Sequence, residues 1–348
     1  MTSIHLPVLL DPILNTWLAP LIENSARGPV TLVDGTFGGG GHALQIAKRL
    51  RDGDTLIGID RDPLPIRRFI ESVSATGNQN PIPMWSSVPS PQDERWIEWS
   101  GVLPSGCRLV LATASYCALP EILRELGQVQ VHGILLDLGL SSDQLEDADR
   151  GFSFRIDAPL DLRFNPTSGI SASQWLLKHS EKEIADAIYL YGEERFSRRI
   201  ARAIVERNLT APIATSKELA DLIHRAVPGK IHGRVDSATR TFQALRIAVN
   251  RELEHVGWAM NELPDLLARG DSSELVGGTP SGELAVISFH SLEDRIVKHS
   301  MREDPRLEVI TKKPIVATES EIDENPRSRS AKLRIARRIR ITPPEDGF

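Results

Sequence analysis

The sequence predicts an α/β fold: a parallel, doubly wound sheet interrupted by an all-helical insertion. Three observations carry this. A glycine-rich turn, Asp34-Gly-Thr-Phe-Gly-Gly-Gly-Gly-His42, stands between an apolar strand pattern and a helical one. Short apolar runs at Thr31–Val33, Thr55–Ile59, Arg108–Ala112 and Gly133–Leu138 alternate with helical patterns, which implies parallel strands joined by crossover helices. From about Ser141 to Val235 no strand pattern occurs.

The elements follow in order. Thr31–Val33 reads as a buried strand, the glycines as a tight turn, and Ala43–Leu50 as a helix. Thr55–Ile59 is a second strand ending at Asp60. The stretch 78–106 holds five prolines (Pro81, Pro83, Pro89, Pro91, Pro104) and three tryptophans (Trp85, Trp96, Trp99), and reads as an ordered surface excursion packing its own rings. In the strandless block, Glu181–Tyr191 and Glu193–Asn208 read as helices broken near Gly192. Thr215-Ser-Lys-Glu218 is a capping box opening another. A long helix from Ser237 carries Phe242, Leu245, Val249, Leu253, Val256 and Met260 on one face. Leu284–Phe289 is a fifth strand, followed by a helix capped by Ser291, and Arg306–Ile341 gives one or two edge strands. The expected domains are therefore 1–140 and 236–348 for the sheet, with 141–235 inserted.

Composition bounds the function. The chain has 348 residues, 41% apolar and 25% charged, ordinary for a globular protein. No run reaches the length of a membrane span and the first residues lack a signal pattern, so a cytoplasmic protein is expected. Cys107 and Cys117 are too few for a disulfide scaffold and lack metal-ligand spacing, so no metal is expected. The net charge of −6 argues against indiscriminate nucleic-acid binding, although local patches weigh more than the sum.

The chemistry gathers where strands end. In open parallel sheets the ligand lies beyond the carboxyl ends of the strands. The glycine turn offers bare amides at a helix N-terminus, and Asp60 can accept both hydroxyls of a ribose, so the pattern describes a nucleoside-cofactor site. By itself the run Gly38-x-Gly40-x-x-Ala43 also fits a dinucleotide fingerprint, or a turn with no ligand. Asp34 just before the turn would repel a pyrophosphate but suits a cationic sulfonium and amino group, which favours S-adenosylmethionine over a nicotinamide or flavin dinucleotide. Asp137 ends the fourth strand where chemistry would occur, with Asp143 and Gln144 following; the plainer reading is a loop cap. His290 and Ser291 end the fifth strand at the same edge. His290 can orient a base or a phosphate, or serve only as a hydrogen-bonded structural residue.

Two further features suggest nucleic acid. Asp149–Arg155 and Asp157–Phe164 interleave aromatics with arginines, a pattern that suits base stacking and, equally, loop anchoring. Arg327–Arg340 contains no acid, and Arg195, Arg198, Arg199, Arg202 and Arg207 form a second basic group, so two polyanion tracks are candidates. Neither cysteine follows a proline, so the Pro-Cys nucleophile of pyrimidine carbon-5 methylation is absent. An exocyclic amine needs only alignment and an acceptor for its N–H.

These segments together resemble one family, the bacterial ribosomal RNA small-subunit methyltransferase H. The matching stretches include His5–Leu10, Asp34–His42, Gly58–Pro63, Gly133–Ser142, Arg150–Phe154, Tyr191–Phe196, Ala238–Gln243, Ile287–Lys298 and Asn325–Ser330. The likeness spans nearly the whole chain. It implies a Rossmann-like S-adenosylmethionine-dependent methyltransferase sheet with an inserted helical domain, acting on the N4 amine of a cytidine in the decoding region of small-subunit rRNA. It also implies cofactor contacts at Gly40, Gly41, His42, Asp60, Asp137 and Gln144, with Tyr116 as the aromatic contact after the third strand. Residues Asn78–Gly106 depart from the family pattern. The expected partner is small-subunit rRNA in the assembled subunit, with the oligomeric state open. A dinucleotide-dependent oxidoreductase and a ligand-binding assembly factor without turnover remain as alternatives.

Overall fold

The computed structural model describes residues 7–23, 28–75, 97–140, 144, 147–227, 236–270 and 280–339. Trp85, Trp96, Asp143 and Arg340, singled out above, lie outside them. The described residues form two compact units, one of 1–139 with 255–348 and one of 140–254.

The first unit is built on a sheet in the order β3-β4-β2-β1-β5-β6-β9-β7, with β8 also paired to β9. Its parallel centre consists of β4 (Arg108–Thr113), β2 (Thr55–Asp60), β1 (Thr31–Asp34), β5 (Gly133–Asp137) and β6 (Glu283–Ser288). Antiparallel strands flank it: β3 (Ile97–Val102) on one side and β9 (Lys332–Arg338) on the other. Beyond β9 come β7 (Leu307–Val309) and β8 (Ile315–Val316), both antiparallel to it. An antiparallel strand lying against the last parallel one departs from the six-stranded dinucleotide order.

The central strands are apolar throughout because both sheet faces are covered. Leu32, Leu56, Leu109, Leu111 and Leu135 face one core, and Val33, Ile57, Val110, Ile134 and Leu136 the other. Each such side chain contributes roughly 1.5–3 kcal/mol by leaving water. β3 corrects the reading of 78–106 as wholly a surface excursion. Its end is an edge strand, and Trp99 there is buried in the sheet core.

The second unit holds, among its described residues, helices and one isolated bridge. Its helices are Ala172–Lys178, Glu181–Gly192, Ser197–Thr210, Ser216–Ala226 and Ser237–Asn250, packed through Ile184, Ile188, Ile200, Ile204, Leu219, Ile223, Phe242 and Leu245. Capping boxes open the first, second and fourth at Ser171, Ser180 and Thr215.

The boundary differs from the expected one at 235. The long helix read from Ser237 is two helices, because Arg251 turns left-handed at φ 53° between Ser237–Asn250 and Glu252–Leu266. Phe242 and Leu245 belong to the helical core, whereas Val256 and Met260 belong to the sheet core. A periodic stripe shows that a face is buried, not what buries it.

Candidate active site

Three carboxylates end adjacent parallel strands: Asp34 on β1, Asp60 on β2 and Asp137 on β5. Asp34 is 1% exposed. Its Oδ1 accepts the Thr36 N–H at 3.2 Å, while Oδ2 is buried with no hydrogen-bond partner among the described residues. Burial, with the Asp60 charge adding to it, pushes the Asp34 carboxyl up to about 7. Asp137 retains 23% of its side-chain surface, yet its Oδ1 is buried and has no hydrogen-bond partner among the described residues. Burial pushes its carboxyl up to about 8, aided by the charges of Asp34 and Glu293 and opposed by Arg327.

Asp60 is held differently. Its Oδ2 accepts the Gly38 N–H at 2.6 Å and its Oδ1 the Asp62 N–H at 2.8 Å. Burial still raises it to about 6. Both oxygens therefore pin loops, each keeping one lone pair for a further donor.

The glycine turn packs tightly under these acids. Gly40 takes φ +80° as the residue before the Gly41–Ala47 helix, a conformation that glycine adopts without strain. A Cβ on Gly58 would lie 2.4 Å from the Phe37 ring, so the ring fills the space under the turn. His42 opens that helix, and its ring nitrogen Nε2 lies 2.8 Å from the Val8 carbonyl oxygen. A carbonyl only accepts, so Nε2 carries the hydrogen and Nδ1 is bare. Burial depresses the ring to about 4, which keeps it neutral. Its Nδ1 stands 3.6 Å from Asp137 Oδ2, and a lone pair facing a carboxylate favours the protonated carboxyl.

Tyr116 follows β4 in the short turn Tyr116–Ala118, buried and edge-on to His255 at 6.3 Å. A Cβ on Gly35 would lie 3.2 Å from its Cβ, so Tyr116 sits beside the glycine turn. Gln144 is buried in the second unit.

At the end of β6, the cap of the Ser291–Glu303 helix is His290 rather than Ser291. The Glu293 N–H donates to His290 Nδ1 at 3.3 Å, and the Glu293 carboxylate accepts the Phe289 N–H at 2.9 Å. His290 Nε2 lies 3.2 Å from Glu293 Oε1 without hydrogen-bond alignment. The ring is therefore held by its own helix. Sequence reasoning missed Thr36, whose Oγ1 accepts the Asp137 N–H at 2.7 Å and ties the glycine turn to β5. It also missed Glu293 and Arg327, whose charges act on Asp137.

The structure overturns one expected RNA track. Arg334 pairs with Asp294 at 2.7 Å, Arg337 with Glu283 at 2.7 Å and Arg338 with Asp265 at 2.9 Å. Arg334 and Arg338 are buried, and with Lys332 also on Asp294 at 3.0 Å, four basic residues of this run are paired with carboxylates of the chain itself. The aromatic loops anchor as well. Arg150 donates to the Arg163 and Phe164 carbonyls, Arg163 pairs with Asp161, and Phe154 packs on Phe242.

The sequence profile of the MraW methylase family matches residues 2–86 and 91–339. The chain belongs to this family. It is 46% identical over 322 residues to the ribosomal RNA small subunit methyltransferase H of Rhodopirellula baltica, covering 89% of this chain and 86% of that one. It is 42% identical over 308 residues to the protein of that name from Synechococcus elongatus, covering 88% of each. The Heliobacterium mobile protein of that name is 38% identical over 355 residues, covering 96% of this chain and 99% of that one. The cofactor is S-adenosylmethionine, and the site fits it. Two buried carboxylate oxygens without partners among the described residues, Asp34 Oδ2 and Asp137 Oδ1, suit a ligand bearing positive charge.

Proposed function

We propose that the chain methylates the N4 amine of a cytidine in the decoding region of small-subunit ribosomal RNA, acting on the assembled subunit in the cytoplasm. Among the described residues no helix is long and apolar enough to cross a membrane. The observation that carries the reading is the pair of unpartnered carboxylate oxygens at the ends of β1 and β5, in a chain of the methylase family.

When bound, S-adenosylmethionine supplies an electrophilic methyl group on a positively charged sulfur. The Gly40 and Gly41 backbone, His42 and Tyr116 contribute to holding it. Asp60 takes the ribose hydroxyls on its remaining lone pairs. Asp34 and Asp137 meet positive charge with oxygens that have no hydrogen-bond partner among the described residues. The cytosine amine is a weak nucleophile because its lone pair is delocalised into the ring. Asp137, ionised once a cation lies beside it, accepts an N–H of that amine and takes the proton the amine must lose. Ser291 and His290 stand at the end of β6, the strand next to β5, and position the nucleotide.

The thiols support an amine route. Burial pushes Cys107 up to about 12 and raises Cys117 as well, so neither forms a thiolate readily. The deciding experiment is nucleoside analysis of small subunits, purified from cells lacking the enzyme, after incubation with protein and cofactor. N4-methylcytidine is the expected product. Carbon-5 methylcytidine would overturn the chemistry, and cofactor binding without turnover would leave an assembly factor.

A further inference from the structure

Four of the five arginines of the second basic group keep their charges on the outside, whereas Arg207 is half-buried, donates to the Ala211 carbonyl and faces Glu218 at 3.8 Å. Arg198, Arg199 and Arg202 lie exposed on the Ser197–Thr210 helix, and Arg195 lies exposed just before it. Positions 198, 199 and 202 recur at one-, three- and four-residue steps along the helix and so share one face, with Arg195 in the turn just before it. The opposite face is fixed in the helical core by Ile200, Ala201 and Ile204, so the arginines cannot turn inward.

Little inside the protein neutralises them. Among the described residues Arg195, Arg198 and Arg199 have no ion pair, and Arg202 reaches Glu181 only at 3.8 Å with both side chains largely exposed. A solvent-screened pair of that kind does little to neutralise either charge. The charges also oppose their own helix. A helix N-terminus favours acids. The Glu181–Gly192 and Ser216–Ala226 helices follow that preference with Glu181, Glu183 and Glu218, and both have side-chain caps. The Ser197–Thr210 helix has neither an acid in its first turn nor a side-chain cap, and carries Arg198 and Arg199 there instead. An external anion relieves this repulsion. Arg195 is further ordered, with its guanidinium 4.5 Å from the Phe196 ring centre. All four are arginines, whose planar donor fork matches phosphate oxygens.

Resting on the proposed rRNA substrate, we infer that Arg195, Arg198, Arg199 and Arg202 form a docking surface for the phosphate backbone of the substrate RNA. The surface contributes affinity and placement and takes no part in chemistry.

The test is a variant carrying Arg198→Gln, Arg199→Gln and Arg202→Gln, with Lys312→Gln/Lys313→Gln as a control at two other exposed cations. Cofactor affinity by calorimetry and the melting temperature establish that the fold is intact. Expected for the triple variant are binding to naked small-subunit rRNA weakened about tenfold at physiological salt and kcat at saturating small subunits unchanged. The slope of log affinity against log salt should become shallower by about two units, from about 0.7 per lost contact. The lysine control should keep the wild-type slope. An unchanged slope in the triple variant, or an equal change in the control, overturns the surface. Loss confined to the assembled subunit, with naked-RNA binding intact, assigns the face to a ribosomal protein and also overturns it. A wild-type protein that binds cofactor but methylates no rRNA overturns the functional reading itself, and the surface with it.

Discussion

Asp34 is buried and Asp137 half-buried at the end of the sheet, each with a buried oxygen that has no partner among the described residues, and Arg334 and Arg338 are buried on β9 and paired with carboxylates. In the helical unit, Arg198, Arg199 and Arg202 stand in solvent with almost no counter-charge. The contrast separates three uses of charge. A cation paired inside the fold supports the fold, a buried carboxylate oxygen without a protein partner suits a cationic ligand, and a cluster of exposed arginines on one helix is where a polyanion is proposed to dock. Composition alone would have treated both arginine groups alike.

The largest expected effect tests the paired class. Asp294→Ala leaves Arg334 buried and Lys332 without a partner, and should cost about 3 kcal/mol of stability in denaturant titrations. The salt dependence of rRNA binding should not change, since these cations are spoken for internally. A shallower slope would erase the distinction between the two basic groups.

The next tests the unpaired acids. Asp137→Asn preserves shape and removes charge, so cofactor affinity should fall about 30- to 100-fold, or about 2–3 kcal/mol. Stability above pH 7 should hold or rise, because the buried site no longer has to ionise. Unchanged affinity by calorimetry would show that the orphaned oxygen belongs to no ligand.

A smaller effect follows from the direction of the shifts. Carboxyls raised in the folded state contribute stability that is present below their unfolded values near pH 4 and lost as pH rises through the folded ones. With Asp34 at about 7 and Asp137 at about 8, the cofactor-free protein should lose about 2 kcal/mol between pH 6.5 and 8.5. His42, lowered to about 4, acts in the opposite sense, its contribution fading as pH falls from 6.5, and is silent in this window. Saturating cofactor should flatten the slope, and calorimetry in buffers of different ionisation enthalpy should register proton release on binding at pH 7. A flat profile without cofactor would mean that the acids are ionised already.

The smallest effect is expected at the thiols. Cys107→Ser and Cys117→Ser should keep turnover within about twofold, with Cys107→Ser costing about 1 kcal/mol of stability because it is fully buried. A folded but inactive cysteine variant would restore a covalent route.

The sequence made local devices legible. Strand, glycine turn, strand and acid appear where expected, and Thr215 caps its helix with Glu218 as the spacing implied. What it hid depends on distance along the chain. The acids that neutralise Arg334, Arg337 and Arg338 lie 40, 54 and 73 residues away, beyond any composition window. The cap at His290 was hidden for a different reason. Serine is the commoner cap, and only the extended backbone of His290, at φ −137°, lets its ring nitrogen accept the Glu293 amide. β3 escaped because a stretch rich in proline and tryptophan does not resemble a strand until its antiparallel partner β4 is in view.

The placement of β9 has a consequence for how the molecule is made. Its residues Lys332–Arg338 pair with β6 on one side and with β7 and β8 on the other. A nascent chain therefore presents the outer edge of β6, with buried Leu284 and Val286, long before its partner is translated. Neither β7 nor β8 can join the sheet in the meantime, since each pairs with β9. A message truncated shortly before Lys332 would yield a protein with every glycine-turn and carboxylate residue present and an open, apolar sheet edge, a substrate for chaperones and proteases rather than for chemistry.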